Sequence, residues 1–440
     1  MINKNILNFI ILFIVDILFF VAIFYISIYI RGNIHNEIIP IFNKISLIDF
    51  LFVIIIILSL LVNEKIYSFR YDFWQEYKKI LKSLFLAYLL TLTILALLKN
   101  NDEYSRLFIS IYFILALIFL PLIKIYTKKF IYRFDFLKKK ILLIGEYEQK
   151  KLFQKEFTNN NYLGQEIVDN RYDSVVIVSS GIPKDELNSI ISKYIDKSDG
   201  LYIVPYINNI NFTHSVILEY SNIQQNSIHI ENRLLIKRNI LIKSSFDKLS
   251  AIVLMPIFII IHLFTAIAIK LDSKGDIIFK QPRLGKDNID FLCYKYRTMY
   301  INSEEILQRY LENNPQEIEY YNRYHKYQND PRVTRIGKIL RATSLDELPQ
   351  LINILKGEMS LVGPRPYMLN EAEKLGENKE LILKVKPGIT GLWQVSGRNN
   401  LSFEERNRLE VWYIKNWSLW DDFIILIRTV KVVFMKIGAK

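Results

Sequence analysis

Four apolar stretches in the first third of the chain restrict its fold more than any other feature. They cover residues 6–30, 45–62, 80–98 and 107–125. Each approaches or exceeds the ~20 residues that a helix needs to cross ~30 Å of hydrocarbon. The first stretch is too long for the apolar core of a signal peptide and lacks a small-residue cleavage site. The sequence therefore predicts a four-helix transmembrane bundle over residues 1–128.

Loop charges predict the orientation of this bundle. The segment 63–79 holds four Lys or Arg residues and 127–140 holds six, whereas the other two loops hold two each. By the positive-inside rule, both ends of the bundle then face the cytoplasm, and the chain after Lys128 begins there. One acid, Asp16, lies within the first apolar stretch. Either a partner in the bundle or a functional role would explain it.

Composition narrows the class of protein. A net charge of +13 accompanies 51% hydrophobic residues, and the lysines and arginines largely flank apolar segments. That arrangement favours a membrane surface with anionic lipids as the partner over nucleic acid. The single cysteine, Cys293, excludes an internal disulfide, and the five histidines show no zinc-binding spacing. Nothing in the sequence indicates a secreted protein.

The middle of the chain, residues 140–238, predicts a small α/β domain. The runs ILLIG, DSVVIVSS and GLYIVP are typical of buried strands, and they alternate with helical stretches as in a parallel sheet. A dinucleotide fingerprint needs G-x-G-x-x-G after the first strand, but only Gly145 is present and acids follow it. A scaffolding or regulatory role is therefore the better interpretation. The alternative, an NAD-dependent nucleotide-sugar epimerase or dehydratase, is disfavoured by the missing glycines.

A fifth apolar stretch, residues 249–269, is again about 20 residues long, so its length alone predicts another crossing. A crossing would carry the arginine-rich C-terminal region away from the cytoplasm, where nucleotide donors and Mg²⁺ are found. Pro256 would instead kink the helix so that it enters and leaves on one face, with Lys248 and Lys270 in the headgroup layer. From the residues alone, both alternatives stay open.

The chemistry is concentrated in residues 335–366, RIGKILRATSLDELPQLINILKGEMSLVGPRP. Two adjacent carboxylates, Asp346 and Glu347, lie between basic residues, among them Arg341 before the pair and Arg365 after it. Carboxylates ringed by arginines indicate a site that handles phosphates, with an acid free to act as nucleophile or metal ligand.

The local pattern predicts a helix directly after this pair. Ser344-x-x-Glu347 has the form of a capping box, and Gly357 would end the helix. Pro349 is tolerated only in the first helical turn, so Asp346 could itself be the N-cap. Either register predicts both carboxylates at a helix N-terminus, where the helix dipole favours anions.

The string SLDELPQLINILKGEMSLVGPRP resembles the signature of the bacterial polyisoprenyl-phosphate hexose-1-phosphate transferases, which initiate surface-polysaccharide assembly. The resemblance continues through FDKLSAIVLMPIFIIIHLFTAIAIKLDSKGDIIFKQPRLG, YKYRTM and PGITGLWQVSGRN. Several long motifs in one order are more specific than a single short pattern. The resemblance implies a re-entrant membrane helix at about residues 247–270. It also implies an α+β phosphoglycosyl transferase domain over 245–440 and a degenerate Rossmann-like domain before it. The implied fold class is a membrane α bundle combined with α/β domains.

The resemblance also implies an activity, the transfer of a hexose-1-phosphate from a UDP-sugar to a polyprenyl phosphate such as undecaprenyl phosphate. Asp346 would attack the β-phosphate, release UMP and hold the sugar phosphate as an acyl phosphate. Mg²⁺ would be held by Asp346, Glu347 and Glu410, the last at a position where the family usually has Asp. Basic side chains would form a cradle for the diphosphate: Arg283, Lys295, Arg297, Arg341, Arg365 and Arg398.

The implied location is the inner membrane of a bacterium, with the catalytic domain in the cytoplasm. UDP-sugar, undecaprenyl phosphate and anionic lipids would be the partners. The non-enzymatic alternative is a membrane-anchored scaffold of a polysaccharide assembly complex whose transferase region has decayed. The intact Asp346, Glu347 and Arg365 count against it. The choice of hexose and the formation of homo-oligomers are left open by the sequence.

Overall fold

The structure is a computed structural model in which the chain forms two compact units, Met1–Ile207 and Asn208–Lys440. The boundary between these units falls inside the segment predicted as the α/β domain. The residues that the structure describes are 4–34, 45–97, 105–205, 212, 215–220, 225–318, 327, 330–397 and 401–434.

The first unit begins with four helices, one for each predicted apolar stretch. They are α1 Lys4–Gly32, α2 Leu47–Asn63, α3 Phe73–Leu97 and α4 Arg106–Ile131. Helices α1, α3 and α4 are long and apolar enough to cross a membrane. Helix α2 has 17 residues, which is the lower limit for a crossing. The predicted helices are confirmed, and the protein is membrane-associated.

An aromatic cluster joins three of these helices. The ring of Phe50 on α2 lies 4.8 Å from that of Tyr112 on α4, centroid to centroid. Phe24 on α1 and Phe108 on α4 each lie 5.2 Å from the same Phe50 ring. All four side chains are buried. Aromatic pairs at these separations stabilise a core beyond the area that they bury.

Asp16 has a partner inside the bundle. Its Oδ2 lies 2.6 Å from Nζ of Lys124, and the hydroxyl of Tyr67 donates to it at 2.7 Å. One helical turn further along α4, Lys128 pairs with Glu76. All four charged side chains are almost fully buried, where an unpaired charge would be costly. The partner explanation for Asp16 is therefore the one that the structure supports.

The first unit also contains a four-stranded parallel sheet with strand order β2-β1-β3-β4, which confirms the predicted α/β pattern. Its elements are β1 Lys139–Ile144, α5 Tyr147–Asn159, β2 Gln165–Ile167, β3 Ser174–Val178, α6 Lys184–Tyr194 and β4 Gly200–Val204. Gly145 follows β1 at φ +145°, and a Cβ atom there would meet the carbonyl oxygen of Val178 at 2.7 Å. The close approach of β3 thus explains the glycine at this turn.

The second unit is an α+β fold around one hydrophobic core. Its strands form a hairpin of β5 Val216–Tyr220 and β6 Gln225–His229, a hairpin of β7 Ile278–Leu284 and β8 Asp290–Tyr296, and a parallel pair of β9 Ser360–Val362 and β10 Gly388–Thr390. Its helices are α7 Lys237–Asp272, α8 Ser303–Asn313, α9 Arg335–Thr343, α10 Gln350–Lys356, α11 Lys379–Leu383, α12 Leu392–Val395, α13 Phe403–Asn416 and α14 Leu419–Phe434.

Helix α7 contains the fifth apolar stretch and continues through Pro256 for 36 residues. It is long and apolar enough to cross a membrane. One face is buried against the rest of the unit, including Ala251, Phe258, Thr265 and Ile269. The other face exposes large apolar side chains, such as Val253 at 73%. Helix α7 therefore packs along the domain on one side and presents an apolar surface on the other.

Candidate active site

The predicted carboxylate pair lies in a short 3₁₀ turn, Leu345–Glu347, between helices α9 and α10. The capping-box prediction is wrong, because Ser344 ends α9 in the left-handed conformation (φ 55°) and its side chain caps nothing in the turn. Helix α10 begins only after Pro349, which is its N-cap and has no N–H to leave unpaired. The predicted end at Gly357 is confirmed by its φ of 83°.

A cavity of about 1540 Å³ opens beside this turn. Asp346 and Glu347 line it together with Lys295 and Arg341. Another part of the lining is apolar and comes from helix α7: Leu254, Ile257, Phe258 and Ile261. The same cavity therefore joins a charged, oxygen-rich group of side chains to the exposed membrane helix.

Two cations are held next to the carboxylates. Nζ of Lys295, on β8, lies 2.7 Å from Oε1 of Glu347. Burial opposes the charge of Lys295, but Glu347 and Asp346 outweigh it, so the pKa of Lys295 is raised. Arg341 is held by a 3.0 Å hydrogen bond from its Nε to the hydroxyl of Thr298. Both cations stay charged at neutral pH and can face an anionic ligand.

Asp346 titrates closer to neutral pH than an ordinary aspartate does. Burial and the adjacent Glu347 raise the pKa of Asp346 to about 6, although Lys295 and Arg341 act in the opposite direction. At neutral pH the carboxylate is still ionised but weakly solvated. Such a group is suited to act as a nucleophile.

Two predicted phosphate-binding arginines are engaged with backbone carbonyls. Arg297 donates from Nη2 to the carbonyl of Ser273 at 2.8 Å and from Nη1 to that of Lys274, so it caps the C-terminal end of helix α7. Arg283 donates from Nη1 to the carbonyl of Pro366 at 3.0 Å. Both side chains line the cavity but are more than nine-tenths buried. Their observed contacts orient the walls of the site.

Arg365 and Glu410 form a second group with Tyr367 and Trp393. Glu410 accepts from the backbone N–H of Arg365 at 2.8 Å and from the hydroxyl of Tyr367. Burial raises the pKa of Glu410 to about 7. The guanidinium of Arg365 lies 5.9 Å from the ring centroid of Trp393, which lines the cavity. Arg398, the remaining predicted phosphate ligand, lies outside the described residues.

The predicted set of three metal ligands is not brought together. Both carboxylate oxygens of Glu410 are bound to protein donors, and Glu410 does not line the cavity. Among the residues that the structure describes, no group of three or more His, Cys, Asp or Glu side chains could hold a metal ion. Asp346 and Glu347 remain as an adjacent pair of oxygen donors on the cavity wall.

Gly388 of PGITG has a packing role that the sequence did not suggest. A Cβ atom on Gly388 would meet the backbone nitrogen of Gly363 at 2.1 Å. The N–H of Gly363 donates to the carbonyl of Thr390 at 2.9 Å, and that of Gly388 donates to the carbonyl of Pro364 at 2.8 Å. These two bonds extend the pairing of β9 and β10, and the N–H of Gly388 is therefore not free to bind a ligand.

Several side chains of the site were missed by sequence reasoning. The guanidinium of Arg406 lies 5.2 Å from the centroid of the Trp393 ring, which Arg365 also contacts. Arg332 lines the cavity. Trp393 lies in the motif PGITGLWQVSGRN, so the position of this motif could have indicated Trp393 as a residue of the site. His262 on helix α7 contacts the hydroxyl of Tyr296 through Nδ1 at 2.9 Å, a contact that no sequence spacing indicates.

Comparison with known proteins gives consistent matches. Residues 238–436 match the family model described as bacterial sugar transferase. The chain is 32% identical over 414 residues to an uncharacterized sugar transferase of Haemophilus influenzae, covering 85% of each chain. It is 31% identical over 404 residues to an undecaprenyl-phosphate galactose phosphotransferase of Salmonella typhimurium, covering 85% of this chain and 84% of that one. It is 41% identical over 197 residues to the exopolysaccharide production protein ExoY of Rhizobium meliloti, covering 45% of this chain and 87% of that one.

Proposed function

This chain belongs to the bacterial sugar transferase family, and from that premise we propose that it transfers a hexose-1-phosphate from a UDP-sugar to undecaprenyl phosphate. The family makes it an enzyme of the phosphotransferase class. The transfer would initiate lipid-linked assembly of an exopolysaccharide or capsule. Relatives named for galactose transfer and for exopolysaccharide production support this pathway class.

One observation carries the proposal: a single cavity is lined both by the carboxylate pair with its cations and by apolar side chains of helix α7. A transferase that acts on a water-soluble donor and a lipid acceptor needs one cavity that both substrates can enter. The phosphate of the acceptor can reach Asp346 while its hydrocarbon chain stays along Leu254 and Ile257. A scaffold protein with a decayed site would have no need for this arrangement.

The proposed reaction has two displacements at one phosphorus atom. A carboxylate oxygen of Asp346 attacks the β-phosphorus of the UDP-sugar, and the bond from that phosphorus to the UMP oxygen breaks. A phosphate oxygen of the lipid acceptor then attacks the same phosphorus, and the aspartyl bond breaks. No net proton is required, because each step exchanges one oxyanion for another. Separation into two steps allows UMP to leave before the lipid reacts.

The surroundings of Asp346 support this role. Its pKa of about 6 leaves the carboxylate ionised at neutral pH. Lys295 and Arg341 lie on the cavity wall, where they can bind phosphate oxygens of the donor. Because they face a partly buried site, their charges stabilise an entering phosphate more strongly than exposed cations would.

Mg²⁺ fits the same pair of acids. Mg²⁺ is commonly bound by one or two carboxylates and completed by substrate phosphates and water, which Asp346 and Glu347 at an open cavity would allow. When bound, Mg²⁺ would offset the negative charge of the diphosphate. Nζ of Lys295 lies 2.7 Å from Oε1 of Glu347, so Oε2 of Glu347 would be the oxygen that binds the ion.

The contacts of helix α7 support a re-entrant rather than a crossing helix. Near one end, Asp247 accepts from the hydroxyl of Ser360 at 2.7 Å. At the other end, Asp272 accepts from the backbone N–H of Ile336 at 3.0 Å. A crossing would separate these two acids by ~30 Å of hydrocarbon, so a single domain could not bind both. We therefore propose that the helix enters and leaves on the cytoplasmic face, which keeps the catalytic domain with its nucleotide donor.

The decisive assay is the release of UMP from a panel of UDP-sugars by the full-length protein with undecaprenyl phosphate. We expect release with at least one UDP-hexose. Asp346→Asn should abolish it, whereas Glu404→Gln, which removes an exposed acid on α13, should leave it unchanged. A protein that releases no UMP with any donor, although it remains folded, would favour the scaffold alternative. Full activity of Asp346→Asn would exclude the covalent route.

A further inference from the structure

Helix α7 is joined to other elements of its unit by hydrogen bonds near its two ends and by one near its middle. Near the ends, the carboxylates of Asp247 and Asp272 accept from other elements. Between these two acids, His262 forms the one side-chain hydrogen bond from α7 to another of the described elements. Its Nδ1 lies 2.9 Å from the hydroxyl oxygen of Tyr296 on β8. The middle of the helix therefore depends on this bond for its polar attachment.

The imidazole and the phenol ring also pack on each other. Their centroids lie 5.6 Å apart, with an angle of 22° between the ring planes. Tyr296 is almost fully buried and His262 is half-buried. Burial raises the pKa of Tyr296 to about 12, so its hydroxyl keeps the proton at neutral pH. The bond is costly to break, because water cannot replace the partner that a buried hydroxyl loses.

Both ends of this bond adjoin the cavity of the candidate active site. Tyr296 lines the cavity, and Lys295, directly before it on β8, belongs to the charged part of the lining. On the helix, Ile261 directly precedes His262 and lines the cavity. The ring of Phe258, which lines the cavity as well, lies 5.6 Å from the imidazole. The bond thus joins the apolar wall on α7 to the strand that carries a cation of the site.

Strand β8 is held in place by other contacts. Every residue of β8, from Asp290 to Tyr296, has a partner on β7 in the antiparallel ladder. Nζ of Lys295 is held in addition by Glu347 at 2.7 Å. Helix α7 has no such ladder, and one of its faces is exposed. Loss of the bond between His262 and Tyr296 should therefore loosen the apolar wall of the cavity more than its charged part.

We propose that His262 is a positioning residue for the lipid acceptor, because its bond to Tyr296 sets the register of the apolar wall on α7 relative to the charged part of the cavity. This inference rests on the proposed function, in which the hydrocarbon chain of the acceptor lies along Leu254 and Ile257. His262 does not line the cavity, so it acts through the helix and does not touch the substrate. An acceptor whose chain follows a displaced wall presents its phosphate away from Asp346.

The test measures UMP release by the full-length protein in one detergent, with the UDP-hexose that supports it. The apparent KM is determined for undecaprenyl phosphate and for the donor separately. His262→Phe keeps an aromatic ring but removes the hydrogen bond, and Tyr296→Phe removes only the hydroxyl. Each should raise the KM for the acceptor about twofold to tenfold, the factor that corresponds to one net hydrogen bond. The KM for the donor should stay close to that of the wild type.

One further variant restores the bond and another serves as the matched control. His262→Asn keeps a hydrogen-bonding atom near the position of Nδ1, so its KM for the acceptor should lie closer to the wild type than that of His262→Phe. Tyr294→Phe removes another hydroxyl from the same strand, one that contacts Lys356 and does not line the cavity. This control should leave both KM values unchanged.

The double variant H262F/Y296F separates positioning from stability. Each single variant leaves one polar group without its partner and should lower the Tm, whereas the double variant leaves neither and should recover most of the Tm. The KM for the acceptor should nevertheless stay raised in the double variant, because the bond that sets the register is still missing. Thermal unfolding measures the first effect, and the kinetics of UMP release measure the second.

Three results would overturn the positioning role while the proposed function stands. They are a wild-type KM for the acceptor in both single variants, an equal rise of the KM for the donor, and a KM for the acceptor that returns to the wild-type value together with the Tm in H262F/Y296F. A wild-type protein that releases no UMP from any donor would instead contradict the proposed function, and the positioning role with it.

Discussion

Replacement of the proposed nucleophile should make the protein more stable while it abolishes activity. The folded-state pKa of Asp346 is raised from 3.8 to about 6, chiefly by burial and by Glu347. Each pKa unit corresponds to about 1.36 kcal/mol, so ionising this carboxyl costs the folded state up to about 3 kcal/mol at neutral pH. Partial solvent exposure of the side chain reduces this, and we expect Asp346→Asn to gain about 1 to 3 kcal/mol.

The pH dependence of this gain follows from the direction of the pKa change. Because the folded-state pKa lies above the unfolded value, the folded state binds the proton more tightly. The stability contributed by the protonated carboxyl is complete below about pH 4 and is lost as the pH rises through about 6. Asn cannot ionise, so the advantage of Asp346→Asn should be absent at about pH 4 and complete above about pH 7.

The assay is thermal unfolding of the wild type, Asp346→Asn and the control Glu404→Gln in one detergent at both pH values. For a unit of this size, the expected gain raises the Tm of the C-terminal unit by about 2 to 12 °C at pH 7.5. The control should not shift. An Asp346→Asn protein that is equally or less stable at pH 7.5, or that gains the same amount at both pH values, would refute the claim that the site holds a desolvated carboxylate.

Three further predictions concern the remaining charged side chains. Activity should fall as the pH is lowered through about 6, because protonation of Asp346 removes the attacking carboxylate; a flat profile of kcat/KM against pH would contradict this. Glu347→Gln should raise the Mg²⁺ concentration for half-maximal activity about tenfold or more, whereas Glu410→Gln should leave it unchanged, since both oxygens of Glu410 bind protein donors. Titration with Mg²⁺ compares the two variants, and an equal rise of this Mg²⁺ concentration in both would indicate that Glu410 is a metal ligand. Arg297→Lys should destabilise the C-terminal unit by about 1 to 3 kcal/mol through the lost cap on helix α7, with little change in KM for the donor. Thermal unfolding and donor kinetics test this, and a raised KM at unchanged stability would indicate a substrate role.

The sequence predicted the elements that depend on local pattern. Runs of about 20 apolar residues specify membrane helices by length, and alternating strand and helix patterns specify a parallel sheet. The carboxylate pair of Asp346 and Glu347 was visible because adjacent acids among arginines are an unusual local composition. These features need no knowledge of which segments meet in space.

The parts that the sequence could not supply are contacts between distant segments. Arg297 is a residue type that often binds phosphate, but its guanidinium donates to the carbonyl of Ser273, 24 residues earlier and directly after the end of helix α7. Glu410 is a residue type that often binds metal ions, but its carboxylate accepts from the backbone N–H of Arg365, 45 residues away. Ser344 has capping-box spacing, yet the packing of helices α9 and α10 places it in a left-handed turn. In each case, tertiary packing determined the role of the side chain.

The most direct test of the account is the covalent intermediate itself. Full-length protein is incubated with a UDP-hexose and Mg²⁺ without lipid acceptor, quenched, digested and analysed by mass spectrometry. We expect a hexose phosphate on the peptide that contains Asp346, and we expect this adduct to disappear when undecaprenyl phosphate is added before the quench. UMP release that requires the acceptor from the start, with no adduct on that peptide, would contradict it.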